Sequence, residues 1–433
     1  MTDEHFRLIK NIRLIDAQKK KTDGCDLLFS VKQGKSKILE IGKNLKLPDI
    51  DGATLINAHG KILCPAFTDL RCVIPDPGYV GRESMKSGLS AAAAGGYARV
   101  LLSPATKPMA DHPALVNSLL QNSLSVANCR ALIAAPLTKG GKGEELCDFA
   151  ALKNAGISAL SAAGEENEAS SYHLLKALAF CKEQRILFIA PVGEKSLDQQ
   201  GIVNKGKLSR LYKNEGIDPL SECIALSSAI LLAKHVNAPV FFPLVTLKES
   251  VEMAKKAKKE GVKLFCATPP QYFSFAEEEV LLTGNNAKLL PPLRSENDRL
   301  AVIAGLREGV IDCICSDHTP HTDGEKRGSF EKAAYGAIGF ETAFAAGVTH
   351  LVLPGYLSLY RLIELMALTP ASLLGYDASL KPGGTCDFCF IDPDAEMVYG
   401  RSTLRSRSAN TPFFGRALKG RVTGLYIDGV KQF

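Results

Sequence analysis

The stretch from Cys313 to His321, CICSDHTPH, gathers an aspartate and two imidazoles, Asp317, His318 and His321, into a short span. The run Asp312, Cys313, Ile314, Cys315 leads into them as a buried strand does when it delivers polar side chains at its C-terminal end. An Asp and a His in that position can hold a metal or move a proton. One strand can do neither alone, so the partners must come from elements that end nearby.

The rest of the chain supplies such elements. Residues 6–62 read as short strands punctuated by Gly, Asp and Pro, with no helical period of useful length. From Leu63 the texture becomes a repeated unit, an apolar strand followed by an amphipathic stretch. Eight strand candidates follow, at 63–73, 98–104, 129–138, 157–164, 185–193, 239–246, 263–270 and 312–320. Helical stretches such as ASSYHLLKALAFCKEQ, LKESVEMAKKAKKEG and ENDRLAVIAGLREG separate them, and β texture returns at TCDFCFIDPDAEMVY and RALKGRVTGLYIDGVKQF. The pattern predicts an α/β chain, a (β/α)8 TIM barrel with a small β-sandwich module formed by the N- and C-terminal segments. The expected boundaries are 1–62, 63–384 and 385–433.

Composition narrows the function classes. The 433 residues suffice for one large barrel and a smaller module, and 46% of them are hydrophobic, an ordinary globular share. The net charge of +6 arises from 52 basic and 46 acidic residues with no long block of either sign, so neither a nucleic-acid stripe nor a polybasic anchor is expected. The start, MTDEHFRLIK, has no leader pattern, and no apolar run is long enough to span a membrane, so the expected location is cytoplasmic. The 12 cysteines read as reduced thiols; the pair Cys386 and Cys389 lacks a second pair at metal-binding distance and lies in an alternating strand pattern. Gly140, Gly141, Lys142 and Gly143 lack the phosphate-loop signature and read as a turn, with Lys139 and Lys142 solvated.

Site residues of a barrel come from the C-terminal strand ends. Here those ends are poor in ligands: six of the eight histidines, His5, His59, His112, His173, His235 and His350, fall in the β module or in and beside helices. Over its whole length the chain resembles a class I dihydroorotase of the amidohydrolase superfamily. The matching motifs are Pro65 to Gly78 against PGxxDxHxHLRxPG, Asp317 to His321 against DHAPH, TKGGKGEELCDFAALKNAG at 138–156, PPLR at 291–294, ENDRLA at 296–301 and NTPFFGRALKGRV near the end.

The resemblance implies zinc, held by the two histidines of HxH, a carboxylate after strand four, one histidine each after strands five and six, and the aspartate after strand eight. Those positions hold Arg71, Val73, Ala162 or Ala163, Pro191, Pro243 and Asp317, and only the last retains a ligand. A hydrolytic zinc site needs about three protein ligands and an open position to bring bound water to a pKa of about 7. The substrate-holding positions implied by the resemblance are occupied by Pro75, Ala105 and Leu290, where an arginine and two asparagines are expected. Pro75 cannot supply the planar fork of a carboxylate clamp.

The expectation is therefore a noncatalytic pseudo-dihydroorotase with no cofactor and no bound metal, in which Asp317, His318 and His321 are remnants. By resemblance its partner is the catalytic chain of aspartate transcarbamoylase, in a hetero-oligomer of pyrimidine (UMP) biosynthesis, with no nucleic acid and no membrane. Two alternatives stand beside it: an active dihydroorotase-like cyclic amidohydrolase with an unconventional site around Asp317, His318 and His321, and a binding protein that uses the emptied barrel mouth. Strands one and eight are neighbours in a closed barrel, so Arg71 is expected to face Asp317 and replace the charge of a cation.

Overall fold

The computed structural model describes residues 4–17, 19–50, 52–126, 128–164, 168–198 and 201–433. Two sheets organise them. The first joins both ends of the chain: β1 (Glu4–Asp16), β2 (Lys21–Lys32), β3 (Lys35–Gly42), β4 (Thr54–Asn57) and β5 (Ile62–Pro65) come from the N-terminal part. The second is the barrel, formed by β6 (Phe67–Cys72), β7 (Tyr97–Leu102), β8 (Arg130–Pro136), β9 (Ala159–Ser161), β10 (Leu187–Ile189), β11 (Val240–Phe242), β12 (Leu264–Thr268) and β13 (Cys313–Ile314). The chain then returns to the first sheet as β14 (Phe388–Val398), β15 (Ala417–Ile427) and β16 (Val430–Lys431).

The barrel strands pair in parallel and in sequence order from β6 to β13. Closure comes from backbone contact between the two ends: Val73 N–H donates to His318 O at 2.7 Å, and Asp317 N–H donates to Arg71 O at 3.1 Å. The interior is filled by Leu70, Leu101, Ala134, Ala159, Leu187, Phe241, Ala267 and Cys313, all buried, so the barrel is a packed core rather than a pore. Outside, helices start on polar caps. Ser170 and Ser295 accept the N–H groups of His173 and Asp298 at the heads of Ser171–Gln184 and Glu296–Glu308. Helix Lys248–Lys259 buries Val251, Ala254 and Ala257 and leaves its last-turn lysines toward the negative end of its dipole.

The first sheet runs β16-β15-β14-β5-β1-β2-β3, with β4 parallel to β1. Its own core holds Ile9, Ile12, Leu27, Phe29, Ile38, Leu63, Phe388 and Tyr426. The 63–73 strand candidate divides here into two. Pro65 still pairs with Phe388, but Ala66 N–H turns to Asp387 O and Phe67 N–H to Gly96 O, so the backbone changes sheets within two residues.

The last strand candidate, 312–320, also differs from expectation. Only Cys313–Ile314 remain in the ladder. Ser316 is drawn out of it because its N–H (2.9 Å) and its hydroxyl both bind the Asp69 carboxylate. Asp317 then adopts a left-handed φ of 48°, a conformation that costs a non-glycine residue energy unless its surroundings hold it.

Candidate active site at the barrel mouth

Asp317 leaves the end of β13 and meets Arg71 from the end of β6. Arg71 Nε donates to Asp317 Oδ1 at 2.7 Å, with each side chain 14% exposed. The expected juxtaposition is thus present. Burial pushes the Asp317 carboxyl upward and Arg71 opposes it, the net shift remaining upward, while Arg71 itself is held more firmly protonated by the pair. Beneath them Asp69 is fully buried and accepts from the N–H and hydroxyl of Ser316 and, at 3.3 Å, from Arg71 N–H. Burial raises its pKa to about 7 against those hydrogen bonds.

His318 and His321 turn away from this pair. His318 is buried, stacks on Phe340 with ring centroids 4.1 Å apart, accepts Gly339 N–H at Nδ1 (3.3 Å), and has Nε2 3.4 Å from Glu83 Oε2. Glu83 in turn accepts from the Ser406 hydroxyl and from Arg407 N–H at 3.1 Å, so the C-terminal segment reaches behind the site. His321 Nε2 lies 2.7 Å from Tyr335 O, which makes Nε2 the donor, and its backbone N–H donates to Asn410 Oδ1 at 3.0 Å. Burial, with Arg82 and Lys326 nearby, lowers its pKa to about 4, so the ring is neutral.

The other positions singled out from the sequence fall where the strands end but carry no donor groups. Val73 is engaged through its backbone to His318, and Ala162 N–H donates to Ile189 O at 2.9 Å. Ala163 N–H donates to Ser161 Oγ at 3.2 Å, and Pro243 O accepts from the Cys315 thiol at 3.5 Å. Pro191 follows β10 and is partly buried. Pro75 O accepts Tyr79 N–H, Ala105 N–H donates to Ser103 O, and Leu290 is partly buried. Among the described residues no group of three or more His, Cys, Asp or Glu side chains is arranged to hold a metal ion. Val, Ala and Pro side chains offer no lone pairs, so the donor set at these positions does not fit a zinc ion in the manner the resemblance implies.

Three contributors lie outside the site residues expected from the sequence. Tyr272, buried, donates its hydroxyl to Pro291 O at 2.5 Å; burial first and then the nearby Asp317 charge hold its phenol far above its usual range. Arg294 of the PPLR motif is buried, donating to Thr246 Oγ1 (3.1 Å) and Asn204 Oδ1 (2.8 Å) with Glu222 3.6 Å away, and so ties the segment after β10 to the strand ends. Glu83 is the third. A charged side chain in a loop carries no sequence mark of burial, and only the PPLR motif gave a signal. The GGKG run is a turn, with Gly140 N–H donating to Asp111 Oδ2 at 2.7 Å.

Residues 60–250 match the family model described as dihydro-orotase-like. The dihydroorotase of Aquifex aeolicus is 36% identical over 426 residues, covering 98% of both chains. That of Citrifermentans bemidjiense is 36% identical over 423 residues, again 98% of each. The chain belongs to the dihydroorotase family. Among solved structures, the L-hydantoinase (dihydropyrimidinase) of Arthrobacter aurescens superposes with a TM-score of 0.86 over 100% of this chain and 96% of its own, at 24% identity. A D-hydantoinase gives 0.82 over 98% and 95%, at 21% identity. These two establish the fold.

Two expectations are corrected by this kinship. The expectation that the protein is not an enzyme fails, because relatives matching it end to end at about one third identity carry the name of an enzyme. The expectation of no cofactor is overturned with it: the chain's end-to-end relatives are dihydroorotases, the family for which the resemblance implies zinc, so the lost ligand positions do not establish that the protein works without a cofactor. The lost strand-end ligands misled because they speak only about those positions.

Proposed function

We propose that the chain is a dihydroorotase-like cyclic amidohydrolase that works at the mouth formed by Asp317, Arg71 and the turn carrying His318 and His321. The observation that carries this reading is the end-to-end kinship with dihydroorotases, 36% identity over 98% of both chains. Opening a cyclic amide requires a base to take a proton from water and a donor for the leaving nitrogen. Asp317 supports the first role as a carboxylate at the strand end, whose pKa burial raises against the opposing pull of Arg71. Arg71, 2.7 Å from it, supports binding of a substrate carboxylate or of the oxyanion that forms at the attacked carbonyl. His318 and His321, both bound to backbone groups, support the turn that presents Asp317.

The test is turnover of dihydroorotate and of hydantoin by the purified full chain, with and without added zinc. Hydrolysis above the uncatalysed rate is expected, falling at least about 100-fold in Asp317→Asn. No turnover of either compound under either condition would overturn the proposal.

A second reading concerns assembly with the catalytic chain of aspartate transcarbamoylase. The reading rests on the resemblance, and helix Leu220–Val236 offers a surface for its test, since Leu220, Ile224 and Leu231 are 53%, 39% and 66% exposed and recur at helical spacing on one outward stripe. Size-exclusion chromatography of the two mixed proteins is expected to give a joint peak that Leu231→Glu abolishes; separate elution of the unmutated proteins would refute the pairing.

A further inference from the structure

The barrel enters and leaves the first sheet at one place. β5 leads through Ala66 into β6, the first barrel strand, and β14 follows the helical segment that comes after β13, the last barrel strand. These two strands pair antiparallel, and Cys64 stands directly opposite Cys389. Both side chains are fully buried on the barrel-facing side, while their neighbours Leu63, Phe388 and Phe390 face the module core. The two sulfurs are 3.4 Å apart, and the Cys389 thiol also faces Pro65 O at 3.8 Å.

We infer that Cys64 and Cys389 are an oxidative modification site, a dithiol that a peroxide converts to a disulfide closing the whole barrel into a covalent ring. Opposed residues of an antiparallel pair keep their Cα atoms about 4.5–5.5 Å apart, within the span of about 4.4–6.8 Å that disulfides bridge. The sulfurs must approach by about 1.4 Å from the observed 3.4 Å to reach the S–S bond length.

The chemistry balances with hydrogen peroxide as the oxidant. One sulfur attacks a peroxide oxygen, breaking the O–O bond and giving a sulfenic acid and one water. The second sulfur then attacks the sulfenic sulfur, forming the S–S bond and releasing a second water. Each thiol proton ends in water, the two sulfurs are oxidised by two electrons in total, and the peroxide is reduced.

Burial holds the Cys64 thiol well above its ordinary range, and the thiolate is the nucleophile. The first step therefore proceeds from molecules in which the β5/β14 seam has opened, sub-denaturing urea accelerates it, and the S–S bond forms as the strands pair again. Once formed, the bond joins residues 325 apart in sequence, and constraining so long a loop removes much of the freedom of the unfolded chain.

The test uses the full-length protein treated with hydrogen peroxide in sub-denaturing urea, then quenched, alkylated after unfolding and digested without reductant. A linked peptide pair containing Cys64 and Cys389 is expected. The unfolding midpoint should rise by at least about 3 °C and return to its starting value on reduction. Neither linkage nor shift should occur in Cys64→Ala or Cys389→Ala. Should either variant fail to fold, the peptide linkage in the unmutated protein decides. Recovery of both residues as alkylated thiols, or as unlinked sulfinic acids, would overturn the inference, and linkage without a midpoint shift would overturn the ring-closure role.

Discussion

At the scale of single residues the mouth is governed by charges held out of water. Arg71 and Asp317 are each 14% exposed, and removing one partner strands the other. Arg71→Met is expected to destabilise the protein by about 2–4 kcal/mol, with Arg71→Met/Asp317→Asn recovering part of that loss, as read from denaturant midpoints. A double variant no better than the single one would show that the pair is not coupled. His321 gives a pH dependence. Its folded pKa of about 4 lies below the ordinary imidazole value, so the stability it contributes is present above about pH 6.5 and is lost as pH falls toward 4. His321→Gln should flatten the fall in melting temperature between about pH 6.5 and 4 relative to the unmutated protein; an unchanged slope would remove His321 as its source.

At the scale of elements, the turn after β13 is fixed by close backbone packing. A Cβ added to Gly339 would lie 2.1 Å from Ser316 O, and the same glycine donates its N–H to His318. Gly339→Ala must push the Ser316 backbone away from Asp69, and overpacking of this kind costs about 1–3 kcal/mol. Thermal unfolding should show a clear drop in midpoint, with dihydroorotate or hydantoin turnover falling together with it. A midpoint equal to that of the unmutated protein would mean that the turn has slack the geometry denies.

At the scale of the whole molecule, the barrel and the terminal sheet are joined by charge as well as by chain. Asp387, buried, binds Arg99 and Arg130, the latter at 2.8 Å, and accepts Asp428 N–H at 2.9 Å; Arg130 also binds Asp428. Burial raises the Asp387 carboxyl, but the two arginines outweigh it and leave it below its ordinary range. Asp387→Ala would leave Arg99 buried and unpaired, at a cost of about 3–5 kcal/mol. Calorimetry is expected to show an earlier and broader unfolding transition, as the terminal sheet separates from the barrel before the barrel melts. A single sharp transition at the original temperature would show that the cluster does not couple the two.

Alternation of apolar strands with amphipathic helices determined the eight-unit barrel and the pairing of the two terminal segments, because periodicity reports which face is buried. The motif DHTPH and its flanks likewise placed Asp317, and the position of Arg71 one strand away was enough to set the two opposite each other. Only the tertiary structure decided what long-range contact controls. It divided one apolar run at Ala66 between two sheets, ended β13 after Ile314 because Asp69 captures Ser316, and buried Glu83, Tyr272 and Arg294 beside the mouth. It also brought Cys64 to Cys389 across 325 residues. The physical reason is common to all of these. A strand's register and a charge's burial depend on partners distant in sequence, and no local pattern encodes them.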